Sequence, residues 1–128
     1  MKILLDTCTF LWIITDDAKL SPHARELFSD SAHDIYLSVV SVWEISLKHA
    51  IGRLPLPKKP DHFIPAQRAR HGIKSLVLEE AETLYLPRLP EIHKDPFDRL
   101  LVCQAIIKSM VILSPDELIS HYPVRCMW

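Results

Sequence analysis

Asp6, Glu44, Asp98 and Asp116 are the side chains whose type and placement offer chemistry. Asp6 directly follows the apolar run Ile3-Leu4-Leu5, and Asp116 follows Met110-Val111-Ile112-Leu113 across Ser114-Pro115. Glu44 and Asp98 fall on the first turns of predicted helices. Brought together, four carboxylates disfavour one another's ionisation unless a divalent cation neutralises them. Mg2+ and Mn2+ prefer oxygen ligands, and Mg2+ keeps waters that can attack a phosphodiester while the cation offsets charge on the phosphate. Such a cluster would suit metal-assisted phosphodiester chemistry, and spacing alone leaves that reading level with the structural ones.

Each acid also has a structural role open to it. Ser41-Val42-Trp43-Glu44 has the spacing of a capping box, which would tie Glu44 to Ser41. Asp95, before Pro96, has the place of a helix N-cap, and Asp98 and Asp116 suit the first turn of a helix through its dipole. Asp6 has no such routine role. Lys48, one turn after Glu44, and Arg99 are candidates for phosphate contacts, with solvated helix residues as the alternative. His93 is placed to neighbour the site; Cys8 and Cys103 read as core thiols, and Trp12 and Trp43 as packing groups.

The elements that must position these residues alternate. A strand over 3–5 leads to a helix containing Phe10-Leu11-Trp12-Ile13-Ile14, and Ser21-Pro22 opens a second helix with Ala24, Leu27 and Phe28 on one face. A strand over 35–39 precedes a helix that begins at Ser41 and stops at Gly52 in the left-handed position. Asp61 is expected to cap a helix ending near Gly72, with Pro65 inside it, followed by a strand over 76–78 and a helix over 79–86. After a break at 87–90, Asp95-Pro96 opens a long helix through Lys108; a strand over 110–113, a helix over Glu117–Ser120 and an extended piece over 123–126 complete the series. Such alternation predicts an α/β fold with a parallel sheet and helices on both faces, in which ligands gather beyond the carboxyl ends of the strands.

The 128 residues are expected to form a single domain, 1–128, around one core. With 48% hydrophobic and 24% charged residues and only 2 Gly, the composition excludes a disordered or collagen-like chain. The net charge of −1 gives no basic excess for non-specific nucleic-acid binding, so metal or local patches must help. Three scattered Cys without C-x-x-C spacing, no tight zinc spacing among 7 His, and no bilayer-length apolar stretch suggest a soluble, cytoplasmic protein. Asp16-Asp17, where a signal peptide would place small residues, argues the same way.

Four segments resemble the PIN-domain family, and within it the VapC-like toxins of bacterial and archaeal toxin–antitoxin pairs. They are Leu4-Leu5-Asp6-Thr7, the stretch from Ser41-Val42-Trp43-Glu44 to Lys48, His93-Lys94-Asp95-Pro96-Phe97-Asp98-Arg99-Leu100-Leu101, and Leu113-Ser114-Pro115-Asp116 before Tyr122. The resemblance implies a PIN-like three-layer sandwich with a central, mainly parallel sheet and helices on both faces. It implies that Asp6, Glu44, Asp98 and Asp116 hold Mg2+ or Mn2+ and activate water for RNA cleavage. Asp95, Ser114, Lys48 and Arg99 are accessory candidates; Asp95 is the extra acid of the Asp-Pro-Phe-Asp variant. The family usually has Thr and a basic or polar residue before the last Asp, whereas this chain has Ser114, which keeps the hydroxyl, and Pro115. A cognate antitoxin protein and a toxin homodimer are also implied.

Two other functions compete. A phosphatase with Asp6 as covalent nucleophile fits an acid after the first strand, but Cys8 stands where the haloacid-dehalogenase pattern has a second Asp. A non-catalytic binding module would use the acids only as caps and an apolar surface for a protein partner.

Overall fold

The computed structural model describes Met1–Trp128. Strands β1 (Lys2–Leu5), β2 (Asp34–Ser38), β3 (Lys74–Leu76), β4 (Val111–Leu113) and β5 (Cys126–Met127) form one sheet in the order β3-β2-β1-β4-β5. Every neighbouring pair is parallel. Between them run α1 (Thr7–Ile14), α2 (Pro22–Ser29), α3 (Val39–Ala50), α4 (Pro60–Arg70), α5 (Glu80–Tyr85), α6 (Pro96–Ile107) and α7 (Glu117–Ser120). The expected α/β class with helices on both faces is the one observed.

Alternation along the central strand builds the layers. Ile3 and Leu5 enter a core with Phe10, Leu27, Ile45 and Ile64, whereas Leu4 enters a second core with Leu101, Val102, Ile112 and Ile119. Successive side chains of a strand point to opposite faces, so a strand apolar at every position is stable only with helices covering both. Ser21 caps α2 through the Ala24 amide (2.9 Å), with Pro22 in its first turn. No helix is long and apolar enough to cross a membrane.

Two expected helix starts differ. β2 runs directly into α3, whose N-cap is Ser38, its hydroxyl accepting from the Val40 amide at 3.0 Å; Ser41 lies inside the helix. α4 starts at Pro60 after Lys59, without a side-chain cap, and Asp61 belongs to its first turn. Pro60 supplies the helical φ in advance, which removes the need for Asp61 as a cap. β3 lies upstream of the expected 76–78, ending where Val77 turns out to solvent. Gly52 does take positive φ (75°) after α3.

The connections from β1 lead through β2 to β3 on one side, while β4 and β5 lie on the other. The carboxyl ends of β1 and β4 therefore flank the point where strand order reverses, the place an open parallel sheet leaves a crevice.

Candidate active site

Asp6 leaves β1 at this crevice and caps α1. Its Oδ1 accepts from the Thr7 amide (2.7 Å), and its Oδ2 accepts from the Ser114 hydroxyl (2.7 Å) and the Cys8 thiol (3.5 Å). The Ser114 oxygen also accepts from the Asp116 amide at 3.0 Å, so one hydroxyl joins the exits of β1 and β4. Burial raises the Asp6 carboxyl above its ordinary pKa against these donors, and the charge of Glu44 adds to the shift.

Glu44 escapes the capping role. The start of α3 at Ser38 puts Glu44 in the second turn, and the Ser41 hydroxyl is buried, accepting from Thr7 Oγ1 at 2.9 Å. Glu44 is 5% exposed; Oε2 accepts from Lys48 Nζ (2.5 Å), while Oε1 is buried without a hydrogen-bond partner. That bond holds the Lys48 ammonium above its ordinary pKa, helped by the charges of Glu44, Asp95 and Asp98. Lys48 is thus engaged with the acids rather than simply solvated.

Asp95 is the N-cap of α6, accepting from the Phe97 (2.9 Å) and Asp98 (3.2 Å) amides as expected. Asp98 stands in the first turn, its Oδ2 3.1 Å from His93 Nε2. Burial first, and then the charges of Asp6, Asp95 and Asp116, push its carboxyl up to about 7, against the bond from His93. Asp116 caps α7 through the Leu118 amide (2.9 Å).

One cleft of about 380 Å³ is lined by Asp6, Glu44, Asp95, Asp98 and Asp116, with Lys48 and Arg53. Five acids from four stretches of chain therefore share one space with two cations. No three His, Cys, Asp or Glu side chains are already gathered as a metal cage. The donor set nonetheless fits a hard divalent cation: all five acids offer oxygen, Asp6 and Asp98 are held up in pKa by burial and by the charge of neighbouring acids, and Glu44 Oε1 is buried and unpartnered. Mg2+ in particular keeps several waters and needs few protein ligands at once.

Arg99 is placed elsewhere. Its guanidinium donates to the carbonyls of Leu86, Pro90 and His93 and to the Tyr122 hydroxyl, and it does not line the cleft that holds the acids. Cys8 is not a core thiol: it is half-buried at the cleft, and burial with the neighbouring Asp6 charge pushes it up to about 12, which keeps it protonated. Cys103 is buried in the core; Trp12 packs edge-on against Trp128, and Trp43 against Phe97. Arg53 and Thr7 were not singled out by sequence; the only signal for Arg53 is its position directly after the turn glycine of α3.

The PIN domain family model matches residues 3–124. Ribonuclease VapC16 of Mycobacterium tuberculosis is 31% identical over 61 residues, 48% of this chain and 43% of that relative, so the match spans less than half of its length. The solved structure of VapBC2 from Rickettsia felis bound to a DNA fragment from their promoter superposes with TM-score 0.74 at 15% identity, covering 99% of this chain and 98% of the other. DNA-bound VapBC from Salmonella typhimurium gives 0.70 at 16%, covering 99% and 97%. FitAcB from Neisseria gonorrhoeae gives 0.59 at 20%, covering 98% and 96%. These likenesses extend the fold assignment to a PIN-like three-layer sandwich.

Proposed function

Because the chain belongs to the PIN-domain family, we propose that it is a Mg2+- or Mn2+-dependent endoribonuclease and the toxin of a toxin–antitoxin pair. The observation that carries this reading is the shared cleft, in which the Asp6 charge raises Asp98, the Glu44 charge raises Asp6, and Glu44 Oε1 lacks a partner. Asp6, Glu44, Asp98 and Asp116 would hold the cation. When bound, it supplies an activated water and offsets charge on the scissile phosphate. The chain's own residues do the positioning: Ser114 and the Thr7 amide fix Asp6, the backbone of α7 fixes Asp116, and Lys48 and Arg53 offer positive charge to the RNA backbone.

The same reading assigns residues 1–128 to one PIN-like domain, working in the cytoplasm as a homodimer. A cognate antitoxin would cover the cleft, since buried carboxylates without metal need a cation from elsewhere. Trp43 and Leu47 on α3, the helix that carries Glu44, and Ile51 at its C-cap are spaced one turn apart and exposed, which supports a protein partner on this side.

Incubating the purified chain with single-stranded RNA tests the activity. Cleavage is expected with Mg2+ or Mn2+ and not in excess EDTA, and the Asp98→Asn variant should be inactive; full cleavage in EDTA would overturn the reading.

A further inference from the structure

His93, Tyr122 and Arg99 form a chain of hydrogen bonds that ends on Asp98, outside the cleft lining. The Tyr122 hydroxyl lies 3.1 Å from Arg99 Nη1, 3.3 Å from the His93 amide and 2.7 Å from His93 Nδ1. Arginine and the amide can only donate, so they occupy both lone pairs of the phenol oxygen. Its single proton then goes outward, and His93 Nδ1 at 2.7 Å is a much closer partner than the His93 carbonyl at 3.4 Å. An imidazole whose Nδ1 accepts carries its hydrogen on Nε2, which faces Asp98 Oδ2 at 3.1 Å.

Resting on the metal-dependent reading above, we propose that His93 is a positioning residue: the Arg99–Tyr122 pair locks it as the Nε2–H tautomer, and it turns the Asp98 carboxylate so that Oδ1 is free for a divalent cation. The arrangement restrains both partners. His93 and Asp98 side chains are each only 13% exposed, and Tyr122 is buried in the core beside α6. Arg99 lies over the Tyr122 ring (5.9 Å to its centroid) and is itself anchored by three carbonyls, so the donor that sets the phenol's direction is fixed. An outer residue that orients a carboxylate ligand governs metal affinity without touching the metal.

Two measurements on the full-length chain test this. Long-range ¹H–¹⁵N correlation spectra of the metal-free protein should show His93 as the Nε2–H tautomer, and Tyr122→Phe should release it to a mixture; a predominant Nδ1–H form in the unmodified protein would overturn the proposal. Mn2+ titration followed by water-proton relaxation should show His93→Ala and Tyr122→Phe weakened roughly 10–100-fold. His93→Gln, which keeps a donor near the Nε2 position, should recover much of the affinity, a rescue that loss of packing alone would not give. Undiminished Mn2+ affinity in folded His93→Ala would sink this proposal alone. Failure of the unmodified chain to bind Mn2+ would sink the metal-dependent reading and this proposal with it.

Discussion

The Ser114 hydroxyl donates to Asp6 Oδ2 across 2.7 Å, joining residues 108 positions apart at the exits of two adjacent parallel strands. The bond is buried and its acceptor is a carboxylate, the class of hydrogen bond that contributes most to stability.

Ser114→Ala is therefore expected to cost roughly 1.5–3 kcal/mol in urea unfolding and to reduce RNA cleavage, because Asp6 loses a donor and Asp116 loses the acceptor of its amide. An unchanged urea midpoint would show that Ser114 does not hold the two strand ends.

Asp95 and Asp98 should separate cleanly. Asp95→Ala removes a cap that serves two amides and is expected to cost about 0.5–2 kcal/mol while leaving measurable metal-dependent cleavage. Asp98→Asn should abolish cleavage yet leave the metal-free fold equally or more stable at neutral pH, since it removes a buried charge facing Asp6. Melting curves and cleavage assays of both variants decide it; a stable, inactive Asp95→Ala beside an active Asp98→Asn would reverse the roles.

The raised carboxyls fix the sign of a pH dependence. Asp98 titrates near 7 in the folded protein and an unfolded aspartate near 4, so between these values the native state binds the additional proton. Its contribution to metal-free stability is complete below about pH 4, falls as pH rises towards 7, and is flat above; Asp6, also raised, acts in the same direction. Melting temperatures of the unmodified chain and Asp98→Asn between pH 4 and 8 should diverge in favour of the variant as pH rises. Saturating Mn2+ should offset the fall in the unmodified chain only. Parallel curves would overturn the prediction.

Lys48→Met leaves Glu44 buried without its cation. Because Lys48 is 46% exposed, the loss is expected to be roughly 1–2 kcal/mol, below that for breaking a fully buried pair. Added Mn2+ should narrow the gap in melting temperature, as a cation in the cleft replaces the ammonium; a gap unchanged by Mn2+ would place the ion outside the reach of Glu44.

What the sequence made legible was local. Asp95-Pro96 and Ser21-Pro22 carry a cap and the following helical φ in adjacent residues, and both begin helices where expected. Asp6 and Asp116 could be found because apolar runs end just before them. Ser41 misled because Ser38 three residues earlier satisfies the same capping rule, and β2 passes into α3 with no loop to mark the boundary. Arg99 and Tyr122 lie 23 positions apart, and their bond depends on how α6 packs beside the turn after α7, which no spacing rule encodes. Cys8 reads as a core thiol because it falls between the apolar runs Ile3-Leu4-Leu5 and Phe10–Ile14, yet its place on α1 aims it at Asp6.

The pairing of β1 with β4 also sets an order in time. During synthesis, Asp6 and Glu44 leave the ribosome long before 111–116, and until those residues emerge β1 lacks its neighbour on that side and Asp6 lacks the Ser114 hydroxyl. The cleft is therefore open-sided throughout most of translation, and a nascent chain interrupted before residue 111 carries at most Asp6, Glu44 and Asp98 of the four acids. A site built this way is completed only when the two distant strands close upon each other.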